Sequence, residues 1–167
     1  MSQFGYLDTY RHNLYNKCKS IEYFEDIKLH QIYRSRDYPL IEKDIIDFAR
    51  QWDPHPFHVD PEVAKNTQFG GLWASAAHLI AIWHKLASEE NFEGAWIAGL
   101  GWDKTRFLAH ARPGDVLVLE KEVIWKRESK SKSNAGVVHY ACKLINQRGE
   151  PVLTSEAIVL LERRPKL

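Results

Sequence analysis

A surplus of charge of one sign is missing from this chain. Lys and Arg number 23 and Asp and Glu 22, leaving a formal net charge of +1. A protein that binds nucleic acid by bulk electrostatics needs surplus cations to displace counterions from phosphates, so that class is excluded. Cysteine is also scarce: Cys18 and Cys142 are far apart and neither lies in a Cys-x-x-Cys pair. A disulfide framework and a thiolate metal site both lack support. Long apolar runs are absent too. The longest, Gly71 to Trp83, includes Ser75 and His78 and falls short of the ~20 residues that cross a bilayer. The first residues, Met1 to Arg11, have no apolar stretch of the signal-peptide type. A cytoplasmic protein with neither membrane nor nucleic-acid partner is expected. What is present is ordinary for one soluble domain: 44% hydrophobic and 27% charged residues over 167 positions. A chain of this size can bury roughly 70% of the surface it exposes when unfolded.

Residues 1–22 are polar, aromatic and weakly patterned, and read as an N-terminal extension to a single domain over 23–167. Gln31 to Tyr38 predicts a strand stopped by Pro39. Ile45, Ile46, Phe48, Ala49 and Trp52 recur at helical spacing, which predicts a helix over 42–52 that must end before Asp53-Pro54-His55-Pro56. Asp60 is placed as the N-cap of a further helical turn that begins at Pro61. Leu72 to Ala87 predicts a helix apolar nearly all round, which belongs in a core and not on a surface. Four strands are expected after it, at 96–109, 116–126, 137–145 and 152–161, with turns at Arg112–Asp115 and Asn146–Glu150. The class is α+β: an antiparallel sheet, in meander order, wrapped around one long central helix.

The chemistry concentrates between Trp52 and Asp60, where Asp53, His55, His58 and Asp60 fall within eight residues. Two prolines stiffen the segment. Asp and His together can run acid–base chemistry near neutral pH. The same residues also suit a solvated surface loop, or a metal site built from His55, His58 and Asp60. The helix entrance after Gly70-Gly71 adds context. A helix N-terminus offers unpaired N–H groups that can hold a carbonyl oxygen as it gains negative charge. An Asp/His pair beside such a terminus suits chemistry at the α and β carbons of a thioester or ketone. His78 and His84, on the same helix, read either as hydrogen-bonded core groups or as pocket lining. The basic run Lys126 to Lys132 reads either as a solvated loop or as a partner for phosphates.

The run Phe48 to Asp60, followed by Phe69-Gly-Gly-Leu-Trp-Ala-Ser75, resembles the MaoC-like acyl dehydratases, which include the (R)-specific enoyl-CoA hydratases. Arg112-Pro-Gly-Asp-Val-Leu117 and Asn146-Gln-Arg-Gly-Glu150 resemble later strands of that family, and the likeness covers about Tyr23 to Arg163. It implies the hotdog fold. It implies that Asp53 and His58 are the catalytic pair, adding water reversibly across a trans-2-enoyl thioester. It also implies a thioester oxygen held at the helix start by the Ala76 N–H, with Ser75 and His55 positioning the substrate. Lys126, Arg127, Lys130 and Lys132 become possible contacts for the phosphates of coenzyme A. No metal or other cofactor is implied; the acyl-CoA is itself the substrate, and a homodimer is expected. Two positions depart from the family pattern: His55 stands where an Asn is usual, and Ala76 where many relatives have Gly. Where some relatives place a helix Ser, this chain has Ala81 and His84. The alternatives are a hotdog acyl-CoA thioesterase, which needs a lone carboxylate, and a silent acyl-CoA-binding hotdog module.

Overall fold

The computed structural model describes residues 21–89 and 94–165. The expectations for residues 1–20, Cys18 among them, lie outside that range. Two short strands, β1 (Ile32–Arg34) and β2 (Tyr38–Pro39), precede three helical segments: α1 (Glu42–Trp52), α2 (Pro56–Val59) and α3 (Pro61–Lys65). The long helix α4 (Ala76–Glu89) follows, then β3 (Trp96–Phe107), β4 (Val116–Glu128), β5 (Ala135–Ile145) and β6 (Pro151–Glu162). The sheet is antiparallel in the order β1-β4-β5-β6-β3, with β2 also on β4. α4 packs on it in the hotdog arrangement.

Four local features differ from the sequence expectation. The first strand is split, because Ser35 interrupts it: its N–H donates to the Leu119 carbonyl, and its hydroxyl accepts the Leu119 N–H. Pro39 continues the pairing opposite Val116 instead of ending it. β4 runs on to Glu128, opposite Gly136, so Lys126 and Arg127 belong to a strand and not to the basic loop. Only β4, β5 and β6 form a meander. β3 pairs with β6 at the far edge, so the 108–115 connection crosses from one side of the sheet to the other.

The largest difference is α4. It begins at Ala76, four residues later than its apolar pattern suggests. Leu72 to Ser75 is drawn out instead, with the Ala74 N–H donating to the Ala111 carbonyl at 2.9 Å. Gly70 sits at a φ of 69°, a left-handed conformation that glycine adopts without cost. One face of α4 carries His78, Leu79, Ile82, Trp83 and Leu86 into the core, against Leu119, Val138, Tyr140, Leu144 and Leu153 of the sheet. Each fully buried aliphatic side chain there is worth about 1.5–3 kcal/mol. The opposite face, Ala76, Ala77, His84 and Lys85, is exposed, and Ile80 and Ala81 are half-buried. Within one chain the helix is therefore covered on one side only.

Two predictions follow from the core. Phe24 lies across Gly136 of β5, so closely that an added Cβ would collide with its ring. Gly136→Ala should cost about 1–3 kcal/mol through overpacking, read as a lower urea midpoint. His78 is buried against Phe48, ring on ring at 4.4 Å, and burial depresses its pKa from 6.5 to about 4, with Asp44 opposing weakly. The unfolded chain therefore binds a proton that the folded one refuses between pH 6.5 and 4. Stability should be full above pH 6.5 and fall as the pH drops towards 4. Melting temperatures across that window should show the fall, and His78→Leu should flatten it.

Candidate active site

α1 ends where Pro54 forbids its continuation. The Asp53 N–H still donates to the Ala49 carbonyl at 2.9 Å, but Asp53 itself is extended. Its carbonyl accepts the His55 N–H at 2.8 Å, which turns the chain into α2. Pro56 opens that single turn, and His58 rides on it into the interior, 6% exposed. There His58 Nδ1 lies 2.9 Å from the Trp73 carbonyl. A carbonyl only accepts, so Nδ1 carries the hydrogen. In the neutral ring, Nε2 then presents a lone pair. Asp53 is less buried, with 28% of its side chain exposed, and His55 Nε2 stands 3.6 Å from its Oδ1. Asp53 and His58 thus flank one turn, with no direct hydrogen bond joining them among the described residues.

Trp73 organises the surroundings. Its ring stacks on Phe57 at 5.0 Å and on His110 at 4.9 Å, and meets His58 edge-on at 5.1 Å. His55 stacks on the Phe57 ring at 5.2 Å. His110 escapes the sequence reading: it stands alone in the 108–115 connection, and only the fold brings it to Trp73. Burial lowers its pKa, helped by the charges of Arg112 and His58. Arg112, read from sequence as part of a turn, also ties the glycine segment down by donating to the Phe69 and Leu72 carbonyls. A side chain on Gly71 would press on this guanidinium.

The helix entrance lies next to this group. Ser75, expected to position substrate, is the N-cap of α4: it is 1% exposed and its hydroxyl accepts the His78 N–H at 3.2 Å. The N–H groups of Ala76 and Ala77 bond to no acceptor among the described residues. They lie on exposed residues at the positive end of a 14-residue helix. A cap of this kind fixes the first turn and leaves those two donors for a ligand.

Other expected contacts are placed elsewhere. The Asp60 carboxylate accepts the Glu62 and Val63 N–H groups as the cap of α3, so it does not join His55 and His58 as a ligand set. No group of three metal-binding side chains occurs among the described residues. Lys126 donates to the Phe24 and Ile27 carbonyls and covers the Phe24 ring, and burial lowers its pKa. It is a structural tie, not a free phosphate contact. Arg127 lies over Trp125. Lys130 and Lys132 are exposed beyond Glu128, at the end of β4 remote from the Arg112–Asp115 turn. Twelve strand steps separate the two ends, ~40 Å at 3.3 Å each.

Residues 27–143 match the model of the MaoC-like domain family. A MaoC-like dehydratase from Rhodospirillum rubrum superimposes with a TM-score of 0.82 at 35% identity, covering 87% of this chain and 99% of that one. An (R)-hydratase from Pseudomonas aeruginosa gives a TM-score of 0.70 at 26% identity, covering 87% and 88%. The Bacillus subtilis protein YdeM, itself uncharacterised, is 30% identical over 140 residues, 83% of this chain and 98% of its own length. With the hotdog arrangement and a family match over most of its described length, this chain belongs to the MaoC-like domain family, whose relatives include dehydratases and (R)-hydratases.

Proposed function

We propose that the protein is a hydro-lyase that adds water reversibly across the double bond of a trans-2-enoyl thioester of coenzyme A, with Asp53 and His58 as its catalytic pair. The observation that carries this is the bond from His58 Nδ1 to the Trp73 carbonyl, which fixes the ring and leaves Nε2 for the reaction. Water held between Asp53 and His58 gives a proton to Nε2 as its oxygen bonds to the β carbon. The enolate that forms places its charge on the thioester oxygen, held by the Ala76 N–H. The proton on Nε2 then passes to the α carbon and restores the site. Asp53 accepts a hydrogen bond from the other O–H of the water, which stays on the product hydroxyl, and holds the oxygen in line. Acid–base help of this kind is worth about 10²–10⁴-fold, and one oxyanion donor about 2.7–4 kcal/mol. The steps are one C–O bond formation and two proton transfers with no net oxidation or reduction, so the reaction calls for no redox cofactor.

The protein should hydrate crotonyl-CoA or a longer enoyl-CoA, followed as loss of the conjugated double bond with no free thiol. Asp53→Asn and His58→Ala should each lower kcat/KM by about 10²–10⁴-fold with the melting transition retained. Release of thiol instead would make the protein a thioesterase. Failure to react with any chain length would make it a silent acyl-CoA-binding module, a reading favoured by His55, whose Nε2 stands 3.6 Å from the Asp53 carboxylate.

We also propose a homodimer. β3 is a twelve-residue edge strand whose residues are nearly all exposed, with Trp96, Leu100, Trp102 and Phe107 in the open. A long apolar edge of this kind invites strand pairing unless a partner covers it. Light scattering should give twice the chain mass, and Leu100→Lys with Trp102→Glu should shift it towards the monomer.

A further inference from the structure

A third histidine, His110, reaches the site from another part of the chain. It stands in the 108–115 connection, whose Leu108 N–H donates to the Val152 carbonyl of β6 at 3.0 Å. The residue after it, Ala111, accepts the Ala74 N–H at 2.9 Å, and the next, Arg112, donates to the Phe69 and Leu72 carbonyls. The His110 ring completes this grip. It stacks on Trp73 at 4.9 Å, 21° from parallel, and meets Phe69 edge-on at 4.9 Å. Three successive residues of the connection thus hold the segment from Phe69 to Ala74.

The grip matters because of what Trp73 holds. Its carbonyl accepts from His58 Nδ1, so the direction of the His58 ring follows the Trp73 peptide. Phe57 also stacks on the Trp73 indole, at 5.0 Å, but it precedes His58 on the same four-residue turn and moves with it. It cannot tie the pair to the body of the fold. His110 can, because its backbone segment is bonded to β6 on one side and to the entrance of α4 on the other. No hydrogen bond holds the His110 ring among the described residues, so the imidazole acts here as a flat stacking surface. Such support is worth most at a reacting group, where a displacement of about 1 Å can cost about 10²-fold in rate.

We infer that His110 is a positioning residue for the reaction: its ring holds Trp73, and through the Trp73 carbonyl it fixes the direction and the tautomer of His58. This rests on the hydration reading for its kinetic readout, and a readout on the free protein stands without it. His110 is exposed, so His110→Ala should keep the melting transition. It should lower kcat for crotonyl-CoA or a longer enoyl-CoA by about tenfold, with KM changed by less than about twofold. His110→Phe, which keeps a flat ring, should hold kcat within about twofold of the wild type. His110→Gln, bulkier than Ala but without a ring, should behave as His110→Ala and serves if the smaller side chain loosens the fold. Wild-type kcat in the ringless variants, or a raised KM with kcat unchanged, would overturn the inference. So would an equal loss of kcat in His110→Ala and His110→Phe, because the imidazole would then act in its own right. Ring-nitrogen chemical shifts of His58, recorded on the ligand-free protein above the usual imidazole pKa, give the second readout. They should show hydrogen on Nδ1 alone in the wild type and in His110→Phe, and exchange between Nδ1 and Nε2 in His110→Ala. An unchanged His58 tautomer in His110→Ala would overturn the inference whatever the kinetics. Hydration of no enoyl-CoA by any of these proteins, with the tautomer difference intact, would fail the hydration reading alone.

Discussion

The bond from His58 Nδ1 to the Trp73 carbonyl is the contact on which the rest of the site depends. It joins two segments fifteen residues apart, the proline-bounded turn after α1 and the extended entrance to α4. Each alone is weakly held. α2 is only four residues long, too short to be stable by its own hydrogen bonds. The entrance has one ladder-like bond, from Ala74 to Ala111. Joined, they fix the His58 ring against Trp73 and set the tautomer. The distance from the acid–base pair to the first turn of α4 then becomes a property of the fold and not of a loop.

Trp73 extends that constraint by stacking. Phe57, His58 and His110 all contact its ring, and His55 stacks in turn on Phe57. These rings remove water from the far side of His58 while Asp53 stays partly exposed. The pair is therefore unequal by construction. One member is buried and oriented by a backbone carbonyl; the other meets solvent and the His55 imidazole. An Asn at position 55 would offer hydrogen bonds without charge. The histidine instead places an imidazole nitrogen 3.6 Å from the Asp53 carboxylate.

Much of this was legible in the residues. α1 has the limits its periodicity demands, because Ile45 and Ala49 are buried on one face and Pro54 blocks extension. Asp60 caps α3 as its position before Pro61 requires. The Asp53–His58 spacing pointed to the turn that holds both. What was not legible depended on distant partners. Leu72 to Ser75 is apolar enough for helix, but the Ala111 carbonyl and the Arg112 guanidinium hold it extended. Ser75 could be read as a ligand contact because a cap shows only once the helix start is known. His110 carries no local signal; it is placed by the crossover to β4. Lys126 was read as a solvated cation because its acceptors, the Phe24 and Ile27 carbonyls, lie about a hundred residues away.

α4 brings these threads together, because its uniform hydrophobicity hides two different demands. The face with Leu79, Ile82 and Leu86 is apolar in order to pack on the sheet. At the start of the other face, Ala76 and Ala77 are apolar yet exposed, before the half-buried Ile80 and Ala81. Core packing would select large side chains there, and exposure would select polar ones. Small apolar residues suit neither, but they do suit a surface approached closely by another apolar body. Ala76 shows the compromise most clearly. Its N–H is left open by the Ser75 cap, and its methyl group is the smallest side chain that still favours helix over glycine. That methyl stiffens the first turn, where a donor must hold its direction, and narrows the approach to it. Among the described residues the helix is thus sealed on one side only, which leaves its small face, its stiffened entrance and the β3 edge exposed.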